Sequence, residues 1–367
     1  ELEGFRIVSN LEFVVELEHP FAILPALLTC GPTAIVPEGT EAAAGTWRTG
    51  CAGTGPFRVV RVGAGGRLDL EANPQYWRHG YPLGERLHFT PENESAARAA
   101  GFREGRYSIA WLLARADEEA LLREPEHASR AVRVPEIATT MLILNATRGV
   151  FADEAARLRF ARALDRDAFV RRIEGQGAVL ASGLIPPGLL GHEPVPPAEP
   201  PTTIDGPGAA VELTVAMTPP LRTAWGETMV RWLGERGYRA SIVNETYAEY
   251  EAAVAGSAAD VVAVGWNFDY PDADSIVYGA LHSTGRYGGN LVGSREVDRL
   301  ADLGRGETDP EARRAIYREL EAVVAARAHA VPLYHARRWC FTRPELRGVE
   351  LNLFQPYLSY EKLIIEE

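Results

Sequence analysis

The run Val211-Glu212-Leu213-Thr214-Val215-Ala216 decides the fold, because it opens a regular alternation of elements. This apolar strand is succeeded by a helical pattern from Leu221 to Arg236 and a second strand over Ala240–Asn244. A helix near Tyr250 and a third strand from Asp260 to Gly265 complete the alternation. Strands and helices in turn are the signature of an α/β layer. Upstream, Met141-Leu142-Ile143-Leu144-Asn145 reads as a buried strand, and Asp153 opens a helix whose apolar positions recur through Leu164. Asp165 is placed to cap the next helix, which should stop at Gly175. Downstream, Asp309-Pro310 starts a helix with Ile316, Leu320, Val323 and Val324 on one stripe, ending before Pro332.

The start of the chain has a different texture. Leu11–Leu17 reads as a strand, and Phe57–Val62 and Arg67–Glu71 flank Gly63-Ala64-Gly65-Gly66 as a hairpin. Residues 186–208 hold so many prolines that neither helix nor central strand is expected there, only a surface loop. The 367 residues suit about two domains at roughly 150 residues each. A hydrophobic fraction of 46% with 24% charged residues is ordinary globular composition. The formal net charge of −12 argues against nucleic-acid binding, which needs a basic face to displace counterions. The most apolar early stretch, Phe21–Cys30, is too short to span a bilayer and is broken by Pro25.

Catalytic and cofactor motifs fail on context. The glycine runs near Gly53 and Gly63 lead into strands, whereas a phosphate-cradling loop must lead into a helix. Gly256-Ser257 and Gly293-Ser294 lack the second glycine of a nucleophile elbow. His329 and His335 fit no metal-ligand spacing. No cofactor, no metal and no enzymatic activity are therefore expected. Cys30 and Cys51 form one disulfide in an oxidising compartment or remain two inert thiols; the spacing leaves both open.

The turn after the strand Asp260–Gly265 is the strongest ligand candidate, since α/β folds present ligand groups at strand ends. Trp266 offers a flat apolar wall, Asp269 a carboxylate, and Tyr270 both a ring and a hydroxyl. Asp269 equally fits a turn-capping role ahead of Pro271, and Asp272 and Asp274 read as turn and cap residues.

A series of stretches, in order, resembles the extracellular solute-binding proteins of family 5, which serve peptide and nickel ABC importers. They are Gly53-Thr54-Gly55-Pro56-Phe57 and Leu70-Glu71-Ala72-Asn73-Pro74-Gln75-Tyr76-Trp77, then Asn145 through Phe151-Ala152-Asp153 to Arg166. Ile185-Pro186-Pro187-Gly188-Leu189, Trp266-Asn267-Phe268-Asp269-Tyr270-Pro271-Asp272 and the tail from Val297 to Tyr334 come next. The resemblance implies a two-lobe, type II periplasmic-binding-protein fold with a hinge. One lobe would comprise residues 1–138 plus 336–367 and the other 139–335. It implies that this chain begins after the family's opening strands and small extra domain, as a processed chain or a fragment.

The same resemblance implies a substrate-binding component, monomeric and periplasmic or extracellular. It would take a peptide or similar solute into an interlobe cleft and deliver it to ABC permease subunits. The alternative it leaves open is a cytoplasmic ligand-sensing domain of a regulator. In peptide-binding relatives the aspartate matching Asp269 holds the ligand's α-amino group. Trp266, Asn267 and Tyr270 then line the site, with Tyr287 and Asn290 from a flexible polar loop as further contacts. Arg286, in that loop, holds a carboxylate or is a solvated surface arginine.

Overall fold

The computed structural model describes residues 4–35, 53–175, 177–193, 210–354 and 357–366, with the side chains of residues 134 and 135 left aside. The chain divides into two compact units, Glu1–Thr29 with Ile137–Ala336, and Cys30–Glu136 with Arg337–Glu367. After a first passage between Thr29 and Cys30, it passes from one to the other inside two long strands, Val132–Leu144 and Ala330–Thr342.

The larger unit is built on a mixed sheet. Its strand order is Tyr238–Ile242, Val211–Met217, Val261–Asn267, Val132–Leu144 and Ala330–Thr342, with Ala178–Leu180 paired to the last. The first three run parallel, while Val261–Asn267 pairs antiparallel with Val132–Leu144, from Val261 opposite Leu144 to Asn267 opposite Ala138. Parallel neighbours need a crossover, and the helix Pro219–Gly234 supplies it between two of them. That helix and Arg166–Glu174 bring Trp225, Met229, Trp232 and Phe169 onto Leu213, Val215 and Ala263 of the sheet. Each such large side chain, once buried, contributes about 1.5–3 kcal/mol.

Helix starts reflect local chemistry. The Asp153, Asp165 and Asp309 side chains accept from the backbone N–H of Ala155, Ala168 and Ala312, and Thr246 with Glu249 forms a capping box. Gly175 closes the second helix at φ 55, a left-handed conformation that favours glycine.

The smaller unit carries a three-stranded antiparallel sheet, Phe57–Val62, Leu68–Ala72 and Arg86–Phe89, so the expected hairpin is present. The helices Ser95–Arg103 and Arg115–Leu122 pack around Ala99, Phe102, Leu121 and Phe341. These two helices were not expected from the sequence. Nor was Arg295–Gly306 in the larger unit, which buries only Val297, Leu300, Ala301 and Gly304.

The grouping at the start of the chain differs from the expected lobes, which counted residues 1–29 with 30–138. Ala22 donates to the Arg305 carbonyl at 3.0 Å, the Arg305 guanidinium lies 5.5 Å over the Phe21 ring, and Ile23 is buried. These contacts hold the opening segment to the Arg295–Gly306 helix. Of the proline-rich run, residues 194–208 lie outside the described residues.

Candidate functional site

The strand Val261–Asn267 ends where its last ladder bond is made, the Phe268 N–H to the Ile137 carbonyl at 3.2 Å. A tight turn comes next. Ser275, itself buried, collects its two sides: its Oγ accepts from the Trp266 indole N–H and from the Asp269 backbone N–H, both at 3.3 Å. The Trp266 ring is half-buried, meets the Tyr287 ring edge-on at a 6.1 Å centroid distance, and rests over Gly279. Asn267 and Asp269 are exposed, and Phe268 between them is buried.

The rest of the turn is pinned from behind. Asp272 accepts two bonds from the Arg313 guanidinium, at 2.6 and 2.8 Å, and one from the Asp274 backbone N–H at 2.8 Å. Arg313 also donates to the Gly304 carbonyl and the Tyr317 hydroxyl, each at 2.7 Å. Asp274, wholly buried, is held by Arg305 at 2.8 and 3.1 Å and accepts the Tyr270 hydroxyl at 2.6 Å. The Arg305 guanidinium lies 3.2 Å over the Tyr278 ring, whose other partner is the stacked imidazole of His282. Burial, and then the Asp274 charge, push the Tyr270 hydroxyl above its ordinary range.

This corrects two readings of the sequence. Asp272 does cap the turn, but it and Asp274 are the acidic halves of buried ion pairs. The Tyr270 hydroxyl is already committed to Asp274, and the residue is half-buried. Arg305 and Arg313 were missed because their partners lie 31 and 41 positions away, with no local signal.

The second group of expected contacts is placed differently. Tyr287 is 1% exposed, and its hydroxyl shares a 2.8 Å hydrogen bond with that of Tyr250. It backs Trp266 as a core residue. Arg286 is paired with Glu251 and donates to the Tyr247 hydroxyl at 2.8 Å, in keeping with its surface-arginine reading. Asn290 is exposed, and its backbone carbonyl accepts from the Thr147 and Ser257 hydroxyls. The loop that the sequence presents as flexible is closely packed: a Cβ on Gly288 would lie 2.0 Å from the His282 carbonyl oxygen.

The Cys30–Cys51 question lies outside the described residues, since Cys51 is not among them. Cys340 is buried, which pushes its thiol up to about 12. Among the described residues no group of His, Cys, Asp and Glu could hold a metal ion, and no helix is long and apolar enough to cross a membrane.

The architecture is shared with solved structures. Clavulanic acid biosynthesis oligopeptide binding protein 2 matches the whole chain with a TM-score of 0.85 at 19% identity, over 72% of its own length. The fold is that of the type II periplasmic binding proteins. The family model for bacterial extracellular solute-binding proteins, family 5 Middle, matches residues 1–288, and the chain belongs to that family. Among curated relatives, probable di/tripeptide-binding protein 5 of Pseudomonas aeruginosa is 23% identical over 94% of this chain and 68% of its own length. The dipeptide-binding protein of the same species is 22% identical over 84% of this chain and 60% of its own. The chain thus spans some 60 to 68% of the length of these relatives.

Proposed function

We propose that this chain is the solute-capturing part of an ABC importer's binding protein and that it takes a short peptide, or a similar solute with a free amine, at the turn after Asn267. It acts outside the cytoplasmic membrane as a monomer, hands its cargo to permease subunits and catalyses no reaction. Family membership and relatives named for dipeptide and tripeptide binding support the reading. The observation that carries it is the place of Asp269: it follows the end of the strand Val261–Asn267, is exposed, and through its backbone N–H shares the Ser275 hydroxyl with the half-buried Trp266. A carboxylate and an indole on one turn suit an ammonium on a short apolar body, and the bond strengthens when water is excluded.

The test is calorimetry with trialanine and its N-acetyl derivative. Replacing Asp269 with Ala should cost on the order of 2–5 kcal/mol of binding to the free amine. Acetylation should cost a similar amount in the native protein and add little in the variant. Equal affinity for both peptides would overturn the amine assignment.

A further inference from the structure

His282 lies between the two supports of the turn after Asn267, within the larger unit. Its imidazole is buried and stacks on the Tyr278 ring, with centroids 4.1 Å apart and planes 7° from parallel. The Arg305 guanidinium is 3.2 Å from the same ring centre, so cation and imidazole take opposite faces of Tyr278. Arg305 in turn holds Asp274, which accepts the Tyr270 hydroxyl. On the other side, the His282 carbonyl accepts the Gly285 N–H at 2.7 Å. The next two N–H groups, of Arg286 and Tyr287, bond to the Gly279 and Ala280 carbonyls at 2.8 and 3.0 Å. Those bonds seat Tyr287 against the Trp266 ring.

The hydrogen bonds fix which ring nitrogen carries the proton. The Thr284 backbone N–H points at Nδ1 from 3.1 Å, and an N–H can only donate. Nδ1 is therefore the bare acceptor, and the proton is on Nε2. The Thr284 hydroxyl lies 2.8 Å from the same Nδ1. Nε2 faces two carboxylates of the helix Arg295–Gly306, Asp302 at 3.5 Å and Asp298 at 3.9 Å. Asp298 also accepts the Ser283 N–H at 2.7 Å. A second proton must enter at Nδ1. The two carboxylates favour the resulting charge, while Arg305 across the Tyr278 ring opposes it. With that proton in place, Nδ1–H meets the Thr284 N–H donor to donor, and the turn from His282 to Gly285 must open to separate them. Histidine is the side chain that ordinarily changes charge between pH 5 and 8.

We propose that His282 is a pH-sensitive switch on the solute site, holding the turn after Asn267 in its binding form only while Nδ1 is unprotonated. Resting on the peptide reading above, the site grips its solute at neutral pH and loosens in mild acid. The second proton opens the turn that seats Tyr287 behind Trp266, and it sets a second cation on the Tyr278 ring that Arg305 already occupies. The coupling is reciprocal: a bound solute, by preferring the neutral ring, resists its protonation.

Two measurements test the switch. The first needs no solute: the indole Nε1–H resonance of Trp266, assigned by its loss in Trp266→Phe, is followed from pH 7.5 to 5.5. The native resonance should shift along a one-proton curve, and that curve should vanish in His282→Asn, which keeps an acceptor near Nδ1 and cannot gain the charge. Asp302→Asn removes an exposed carboxylate that favours the charged ring, so the midpoint should move to lower pH. A native resonance that stays still, one that moves alike in His282→Asn, or a midpoint unmoved in Asp302→Asn would each overturn the proposal. The second is calorimetry with trialanine at pH 7 and 5.5, a window in which the peptide's amine stays largely protonated. Native affinity should fall about fivefold or more on acidification, and that of His282→Asn by about twofold or less. Equal native affinity at the two pH values would also overturn the switch. Should trialanine not bind at pH 7, the peptide reading fails, and the indole titration still decides the switch.

Discussion

Asp269 and Asp272 are three positions apart and do opposite work. Asp272 neutralises Arg313, which is only 5% exposed. Truncating Asp272 to Ala strands that guanidinium, and removing one partner of a buried pair costs about 3–5 kcal/mol. Urea unfolding should show the loss as a lowered midpoint with the slope unchanged. Asp269→Ala, at an exposed position, should change stability by less than about 0.5 kcal/mol, and so barely move the midpoint, while weakening ligand binding. A stability loss of the same size in both variants would contradict this division. The strand end that carries Trp266, and the turn with Asp269 after it, were legible in the sequence because a strand followed by a proline-bearing turn is a local pattern. The ion pairs behind them were not, since only tertiary folding brings residues 272 and 313 together. The same holds for Tyr287, which its polar neighbours made look like a contact residue. The hydroxyl of Tyr250 makes it part of the core.

At the scale of elements, legibility depended on how local the determinants are. Asp165, Asp309 and Gly175 announced helix ends because capping acts within one turn of the chain. The Arg295–Gly306 helix escaped notice because its buried face includes Ala301 and Gly304, whose small side chains leave a thin apolar stripe. The strand Ala330–Thr342 was obscured by Pro332 and by Arg337-Arg338, which read as a break and a polar surface. The 285–290 loop misled in the opposite direction. Its glycines look like flexibility, but a Cβ at Gly288 would lie 2.0 Å from the His282 oxygen and 2.2 Å from that of Leu281. Since both are backbone atoms, the clash cannot be relieved by turning a side chain. Gly288→Ala should therefore destabilise by about 1–3 kcal/mol, the usual range for overpacking. Because the loop holds Tyr287 against Trp266, the near-ultraviolet dichroism of the folded variant should change as well. A variant with native melting temperature and spectrum would show that the packing is looser than described.

For the molecule as a whole, the sharpest consequence is its response to acid. His329 and His335 are both buried, and each is pushed down to about 4. Burial is the larger cause in both, followed by the Arg157 charge for His329 and by His192 for His335. Neither ring nitrogen of His329 has a hydrogen-bond partner among the described residues, so nothing there offsets the cost of charging it. In the unfolded chain both rings titrate near 6.5. Between about pH 6.5 and 4 the unfolded chain therefore binds protons that the folded one refuses, so stability falls as pH falls through that window. It is fully present above the window and levels off, for these two groups, below it. Each histidine accounts for a loss on the order of 3 kcal/mol, at 1.36 kcal/mol per pK unit. Glu321 works against them. Its carboxyl accepts the backbone N–H of Leu184 and Ile185, but burial dominates and raises it above the usual carboxylate range. Its folded form gains a proton before the unfolded form does, which adds stability on acidification and offsets part of the histidine loss. Urea midpoints at pH 7.5, 6, 5 and 4.5 should fall steadily, and His329→Gln and His335→Gln should each flatten the slope by about one proton's worth, whatever they do to stability at pH 7.5. Midpoints that stay level from pH 7.5 to 4.5 would mean that these imidazoles reach water in the folded state, and their burial in the larger unit would then need to be redrawn.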